Sequence, residues 1–527
     1  MPKVLVSDPV AAEGVAILRR AGLEVDVRTG LSSAELKEII GEYEGLAVRS
    51  ETKVTAEILE AAHKLKIIGR AGVGVDNIDV ARATEKGILV VNSPEGNTIA
   101  AAELTVALFF ALSRNVPQAH QSMKAGEWKR SKFVGVELYG KTAGVIGLGK
   151  IGREVAKRLK ALEMPILAYD PFLGKEQADA LGVQLVDLET LYRRADFITV
   201  HVPKTKETTS LISDAQLAVM KDGVRLINVA RGGIYDEAAL LRGLESGKLG
   251  GAALDVWENE PIAADYALAL HPKVIATPHL GASTEEAQIG VAVDIAEQIV
   301  AVLSGGSARA AVNMPSLPAE ILHRTAPYLT LAEKMGSLKA QLARGSVTAV
   351  EIRYEGEFDT AQTVHLTRAV LKGLLMPALG ESVNYVNAPA LAASRGVKVT
   401  ESRGPRGDEY ERQLTVLATD DRGTHGVTGT VFGKSDPHIV FLDTYPVDFR
   451  PEGHHIMVRN HDRPGMIGKI GTILGEGGVN IAGMYVGRDE KDGTAVMALS
   501  VDSEASSDVA EIIRGLDGVL SVRQVML

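Results

Sequence analysis

The sequence predicts an α/β protein: two parallel-sheet units in succession, then a mixed α+β segment, then a small terminal module. Short apolar strands alternate with helical patterns from residue 1 to about 92, and again from 142 to about 280. That alternation builds parallel sheets. A strand, a glycine turn and a helix follow one another across residues 141–153. Beyond residue 451 four strand patterns and two helical ones come in the order βαββαβ.

In the first unit the strands are expected at 4–7, 24–27, 46–48, 67–69 and 89–91, with helices at 12–21, 33–40 and 56–63. One long helix is expected over 99–124. The second series has strands at 143–146, 165–169, 197–200, 224–229, 251–255 and 274–276. A helix over 285–303 ends at the Gly305-Gly306 break, and its apolar positions return the chain to the first unit. The expected division is therefore 1–95 with 285–315, a second unit 96–284, a mixed α+β unit 316–450, and a terminal unit 451–527. Strands at 347–354 and 413–418 mark the mixed unit. The terminal one has strands at 455–459, 480–487, 494–501 and 519–525, with helices at 466–476 and 508–514.

At 527 residues three or four domains are expected, each able to bury a core. A net charge of −10 gives no overall attraction for nucleic acid or anionic membrane. The absence of cysteine excludes disulfides, thiol catalysis and zinc–thiolate sites. The first residues read as a strand rather than a leader, and the apolar run 104–112 is too short to span a bilayer. A soluble, cytoplasmic protein with no nucleic-acid, membrane or metal partner is expected.

Chance supplies a G-x-G-x-x-G triplet about once in every two chains this rich in glycine, so context decides. Here the triplet follows an apolar strand and opens a helix. Gly147 allows the tight turn, Gly149 lets backbone approach a pyrophosphate, and Gly152 lets helix pack on strand. The helix N-terminus supplies free N–H groups to the phosphates. Asp170, closing the next strand, can accept the ribose hydroxyls; it repels a 2′-phosphate, and residues 171–173 offer no cation. NAD is favoured over NADP.

Arg231, Glu260 and His279 then follow successive strands. Ligands of open α/β sheets collect at such strand ends. Arg231 can clamp a carboxylate, His279 can take a hydroxyl proton, and Glu260 can hold the imidazole and stabilise its cationic form. Arg49 and Arg70 end strands facing the same cleft. One carboxylate needs only Arg231, so two further arginines point to a second anion, best fitted by phosphate. The basic cluster Trp128–Lys132 either reaches a neighbouring subunit's cleft or is an exposed patch.

Residues 147–152 with Asp170, 228–233, 255–261 and 277–284 resemble the NAD-dependent D-2-hydroxyacid dehydrogenases. The resemblance implies two Rossmann/flavodoxin-like domains and the catalytic set Arg231, Glu260 and His279. It places Lys150, Ile151, Asp170, Pro203, Ala230, Asp255, His279, Gly281 and Ala282 around the cofactor, beside the three glycines. Arg49, Ser50, Arg70, Gly72 and Asn97, with Arg231 and His279, are the implied substrate contacts. Residues 380–387 and the terminal module are similar to the family's long phosphoglycerate-oxidising branch, which has an intervening domain and a ferredoxin-like ACT domain.

That branch implies oxidation of 3-phospho-D-glycerate to 3-phosphohydroxypyruvate, the first step of serine biosynthesis, in a homo-oligomer, dimer or tetramer. In the ACT domain the matching positions for an L-serine effector are Asp462 and Asn480; the alternative is a module serving only assembly. Lys434 and Arg450 are candidates for an anion site in the intervening domain. Two other functions stand beside this one: a glyoxylate or hydroxypyruvate reductase of the same superfamily, and a non-enzymatic NAD-sensing scaffold.

Overall fold

The first sheet is entirely parallel, because each strand is followed by a helix that carries the chain back across the sheet. Its strands are β1 (Lys3–Val6), β2 (Glu24–Val27), β3 (Gly45–Val48), β4 (Ile67–Arg70) and β5 (Leu89–Asn92), in the order β2-β1-β3-β4-β5. The protein is described by a computed structural model covering residues 1–315, 317, 319–406, 409–489 and 493–527. The boundary expected at residue 316, and position 318 beside it, lie outside the described residues.

The second sheet holds β6 (Ala143–Ile146), β7 (Ile166–Tyr169), β8 (Gln184–Leu185), β9 (Phe197–Val200), β10 (Val224–Asn228), β11 (Leu249–Leu254) and β12 (Val274–Ala276). Their order is β12-β11-β10-β9-β6-β7-β8, all parallel. The chain switches direction between β6 and β9, which opens a crevice at their C-terminal ends. In the first sheet the switch lies between β1 and β3.

Helix Glu285–Leu303 follows β12 yet packs with the first sheet. Val291, Ile295, Ala296 and Ile299 are buried in one cluster with Val4, Val6, Leu18 and Ile67. Burying each such side chain stabilises by about 1.5–3 kcal/mol. Asn313 extends the attachment: its side chain accepts from the Val90 amide (2.9 Å) and donates to the Ile88 carbonyl (2.9 Å).

The helix expected over 99–124 is two helices, Thr98–Arg114 and Val116–Lys124, bent by 65°. Asn115 sits between them with φ 53°, a conformation asparagine tolerates, and Pro117 opens the second helix. Hydrophobic continuity across the break concealed it. No single helix among the described residues is long and apolar enough to cross a membrane.

The third sheet comprises β13 (Ala349–Glu355), β14 (Lys398–Gly404), β15 (Gln413–Asp420), β16 (Gly423–Phe432), β17 (Asp436–Leu442) and β18 (Tyr445–Phe449). Its order is β14-β13-β15-β16-β17-β18, antiparallel except for the β13–β14 pair. Helices Ala319–Leu342 and Thr360–Leu379 bury Leu331, Met335, Leu366 and Val370 with it.

The last sheet holds β19 (His454–His461), β20 (Ile481–Asp489), β21 (Thr494–Val501) and β22 (Val519–Met526), ordered β20-β21-β19-β22 and fully antiparallel. Helices Met466–Glu476 and Ser507–Arg514 complete βαββαβ. Met457, Val496, Ala498 and Val525 of this module share one apolar cluster with the third sheet and its helices.

Candidate active site

In the second sheet every candidate site loop leaves the C-terminal end of a parallel strand, so the loops line one edge. The glycine turn follows β6. Gly147 has φ +91°, and a Cβ there would stand 2.6 Å from the His201 carbonyl oxygen. A Cβ on Gly152 would lie 2.0 Å from the Gly147 carbonyl oxygen, so this helix–turn contact admits only glycine. Gly149 instead faces open space and precedes helix Lys150–Ala161 with no side-chain cap.

The helix's first N–H groups are thus left for an outside acceptor, and no side chain obstructs its approach. These features fit the pyrophosphate of a dinucleotide. Asp170 follows β7, accepting from the Leu148 amide (2.8 Å) and the Phe172 amide (2.9 Å). It ties the glycine turn to its own strand end, and each carboxylate oxygen keeps a lone pair for a ribose hydroxyl. Lys150 pairs with Glu95 of the neighbouring loop (2.6 Å). Pro203 is exposed on the loop after β9.

Asn228 at the end of β10 shapes the turn that presents Arg231. Its side chain donates to the Arg231 carbonyl (2.8 Å) and accepts from the Ala230 amide (2.9 Å). The Arg231 guanidinium crosses to the first unit, where its Nε meets Asp76 Oδ2 at 3.1 Å. A Cβ on Gly74 would lie 1.9 Å from Arg231 Nη2, so that segment approaches the guanidinium with bare backbone.

Asp255, after β11, is fully enclosed. Its carboxylate accepts from the Leu280 and Gly281 amides (2.7 and 2.9 Å) and from Thr277 Oγ1 (2.6 Å). With no exposed surface it offers a ligand no direct contact; what it does is hold the 277–282 loop, which carries Gly281 and Ala282. His279 adopts φ 56°, a conformation rare outside glycine and asparagine. Its amide donates to the Asp255 carbonyl (2.9 Å), so the loop's own hydrogen bonds over-determine this backbone.

The His279 ring meets Glu260, with Nδ1 to Oε2 at 2.8 Å, while Glu260 Oε1 accepts from the Trp257 amide at 2.9 Å. Burial raises the Glu260 pKa, but the His279 hydrogen bond, the Trp257 amide and the nearby charge of Arg231 outweigh it and hold the carboxyl below its usual range. An ionised Glu260 accepts a hydrogen bond from Nδ1–H. In the neutral ring Nε2 is therefore the basic nitrogen.

The first sheet brings two more arginines to this cleft. Arg70 ends β4, and its Nε is buried with no hydrogen-bond partner. Burial, then repulsion from Arg231 and Arg49, push its pKa down to about 10 against the pull of Asp76 and Asp8. Three guanidiniums from separate strand ends therefore feel one another. Arg70 stands directly over Gly72, where a Cβ would lie 1.6 Å from Nη1. Asn97 Oδ1, Ser93 Oγ and Thr98 Oγ1 are also buried without partners. Unsatisfied buried polar atoms of this kind are expected where a polar ligand completes the set.

Asp8 escaped the sequence reading although it follows β1 at the switch point. It is buried and accepts from the Arg49 amide (2.6 Å) and the Thr52 amide (3.0 Å), holding the turn that carries Arg49 and Ser50. Asn77 braces that turn by donating to the Arg49 carbonyl (3.0 Å). The signal was the Ser7-Asp8-Pro9 strand exit, mirrored by Asp170-Pro171 after β7.

Other candidates stand apart from the cleft. Trp128 is exposed and Lys129 pairs with Glu127 (2.6 Å). Asp462 is paired with Arg488 (Nε–Oδ2 2.7 Å), and Asn480 donates to Asp502 (2.8 Å). Of the candidates Lys434 and Arg450, Arg450 pairs with Asp436 at 2.9 Å.

Residues 106–281 match the family model described as D-isomer specific 2-hydroxyacid dehydrogenase, NAD binding domain. Residues 324–443 match the D-3-phosphoglycerate dehydrogenase intervening domain, and 454–518 the ACT domain. A D-3-phosphoglycerate dehydrogenase of Archaeoglobus fulgidus is 48% identical over 527 residues, covering 100% of both chains. One from Synechocystis is 48% identical, over 100% of this chain and 95% of its own. A D-lactate dehydrogenase from Aquifex aeolicus, solved with NAD and lactic acid, aligns with TM-score 0.52 and 30% identity over 57% of this chain and 96% of its own.

Proposed function

The chain belongs to the D-3-phosphoglycerate dehydrogenase family, and we propose on that footing that it uses NAD to oxidise 3-phospho-D-glycerate to 3-phosphohydroxypyruvate. The observation that carries the residue assignment is the meeting of the His279–Glu260 pair with a cleft of three arginines. Arg231 holds the substrate carboxylate and polarises the C2 oxygen. Arg49 and Arg70 take the phosphate, with Ser50, Gly72 and Asn97 beside it. His279 Nε2 accepts the C2 hydroxyl proton as the C2–H bond breaks.

Glu260 stabilises the resulting imidazolium. NAD held in this cleft would supply the acceptor for the hydride leaving C2. Gly149, Lys150 and Ile151 would receive its pyrophosphate and Asp170 its adenosine ribose, with Gly147 and Gly152 shaping the turn that presents them. Pro203, Ala230, Gly281 and Ala282 border the rest. A reductase acting on unphosphorylated glyoxylate or hydroxypyruvate has no use for Arg49 and Arg70.

NADH formation with 3-phosphoglycerate, compared with unphosphorylated glycerate, tests this reading. A kcat/KM at least about 100-fold higher for the phosphorylated acid is expected. Equal values would remove the substrate assignment. Replacing Glu260 with Gln should lower kcat/KM by about 10–100-fold. The acid limb of its pH profile should move to lower pH, because the imidazolium loses its anionic partner. An unmoved limb would show that Glu260 does not act on the proton acceptor.

We infer also that the terminal module binds an amino acid such as L-serine, and that the chain works as a homo-oligomer, dimer or tetramer. The ACT match supports the first. Within one chain Asp462 and Asn480 are each engaged, so a bound ammonium group would displace Arg488 from Asp462.

A further inference from the structure

Glu260 stands in an exposed loop and has to be aimed. Residues 258–265 are exposed except for half-buried Ile262, and they run from buried Trp257 to half-buried Tyr266. Glu237 meets both ends of that loop. It is buried, at 8% exposure, in the first turn of helix Glu237–Glu245, on the connection from β10 that also carries Arg231. Its Oε1 accepts from the Glu258 amide at 2.5 Å and its Oε2 from the Tyr266 hydroxyl at 2.6 Å.

Among the described residues no cation pairs with Glu237. A buried carboxylate without one is costly, so its place depends on these two donors and on the positive end of its own helix. Hydrogen bonds to a charged acceptor are about twice as strong as neutral ones, which suits a clamp. Burial, and then the bond to Glu237, raise the Tyr266 phenol above its usual range, so it stays a donor.

The clamp reaches all three catalytic loops. A Cβ on Gly232 would lie 1.8 Å from the Trp257 carbonyl oxygen, so the Arg231 turn and the start of the Glu260 loop touch backbone to backbone. Tyr266 packs edge-on against Trp257, with ring centres 6.0 Å apart. The Trp257 indole donates to the Thr277 carbonyl (3.2 Å), at the head of the loop that carries His279. The Trp257 amide in turn holds Glu260 Oε1.

We propose that Glu237 is a positioning residue of the dehydrogenase: it fixes the 258–265 loop at both ends and thereby aims the Glu260 carboxylate at His279. The inference rests on the Glu260 and His279 roles assigned above and not on the identity of the substrate. Without the clamp the loop samples other orientations, Glu260 spends less time on Nδ1, and the imidazolium is less stable.

Diethyl pyrocarbonate modifies neutral imidazole, and the His279 side chain is 47% exposed, within the reagent's reach. Its modification rate in the full chain, followed against pH by peptide mass spectrometry, locates the ring's protonation midpoint without any substrate. The variants are Glu237→Ala, Tyr266→Phe, Glu260→Gln, and the double variant Glu237→Ala with Glu260→Gln. Glu260→Gln should lower the midpoint by about one pH unit, and Glu237→Ala by part of that amount. Tyr266→Phe keeps the Glu237 charge and loses one of its two bonds, so a smaller shift in the same direction is expected. The double variant should match Glu260→Gln alone, because a loop without its carboxylate has nothing to aim.

In Glu237→Ala, kcat/KM with 3-phosphoglycerate should also fall about tenfold with its acid limb at lower pH, while NAD affinity stays within about twofold. No turnover of 3-phosphoglycerate by the wild type would remove the substrate assignment and leave the midpoint test in force. A midpoint unmoved in both Glu237→Ala and Tyr266→Phe would overturn the proposal, as would one unmoved in Glu260→Gln. A midpoint lower in the double variant than in Glu260→Gln would overturn it too, since Glu237 would then act on His279 through its own charge.

Discussion

Replacing His279 with alanine is expected to lower kcat by about 10³-fold while NAD affinity stays within about twofold. Removing a positioned general base costs about 10²–10⁴ in rate. The upper half of that range is expected because Glu260, held ionised, would be left facing the cleft with no proton to direct. NAD binding should survive because the glycine turn and Asp170 stand on β6 and β7, whereas His279 leaves β12.

The 277–282 loop should also persist, since Asp255 holds it through the Leu280 and Gly281 amides rather than through the imidazole. Alanine inherits the φ of 56°, a backbone cost that His279 already meets, so the melting temperature should change little. Steady-state rates with NADH fluorescence titration separate these effects. Turnover within tenfold of wild type would remove His279 from its assigned role.

The second large effect is expected at Arg70. Changing it to glutamine should raise KM for 3-phosphoglycerate by about 10–100-fold, the equivalent of one charge-assisted hydrogen-bond pair. The weak turnover of unphosphorylated glycerate should be nearly unaffected. A uniform binding contact appears in KM with kcat preserved. The fold should tolerate the change, because Arg70 Nε has no partner to lose and its charge opposes those of Arg231 and Arg49. If both substrates lost activity equally, Arg70 would be a structural residue of the cleft and not its phosphate contact.

Much of this architecture was legible in residue patterns. Strands predicted at 24–27 and 494–501 and the helix at 466–476 have those bounds, and the other predicted strands lie within a few residues of theirs. Apolar runs bounded by glycine and polar residues leave a buried parallel strand little freedom to shift. The break at Asn115 was hidden because apolar spacing continues across it, and only the left-handed backbone of one asparagine reveals it.

In the site, Arg231, Glu260 and His279 were visible because chemically distinctive residues follow apolar strands. Asp8 and Asp255 were less so. An aspartate that accepts backbone amides at a strand exit looks, in sequence, like any turn aspartate.

The sequence by itself determined the α/β class, the dinucleotide turn and the identity of the cleft's charged residues. These depend on local periods and on glycine, whose lack of a Cβ has consequences within a few residues. Tertiary structure alone decided which charges meet. It paired His279 Nδ1 with Glu260, gathered Arg49, Arg70 and Arg231 from two sheets, and neutralised Arg450 with Asp436. Electrostatic interaction falls with distance in space, and sequence spacing does not report that distance once sheets and domains have packed.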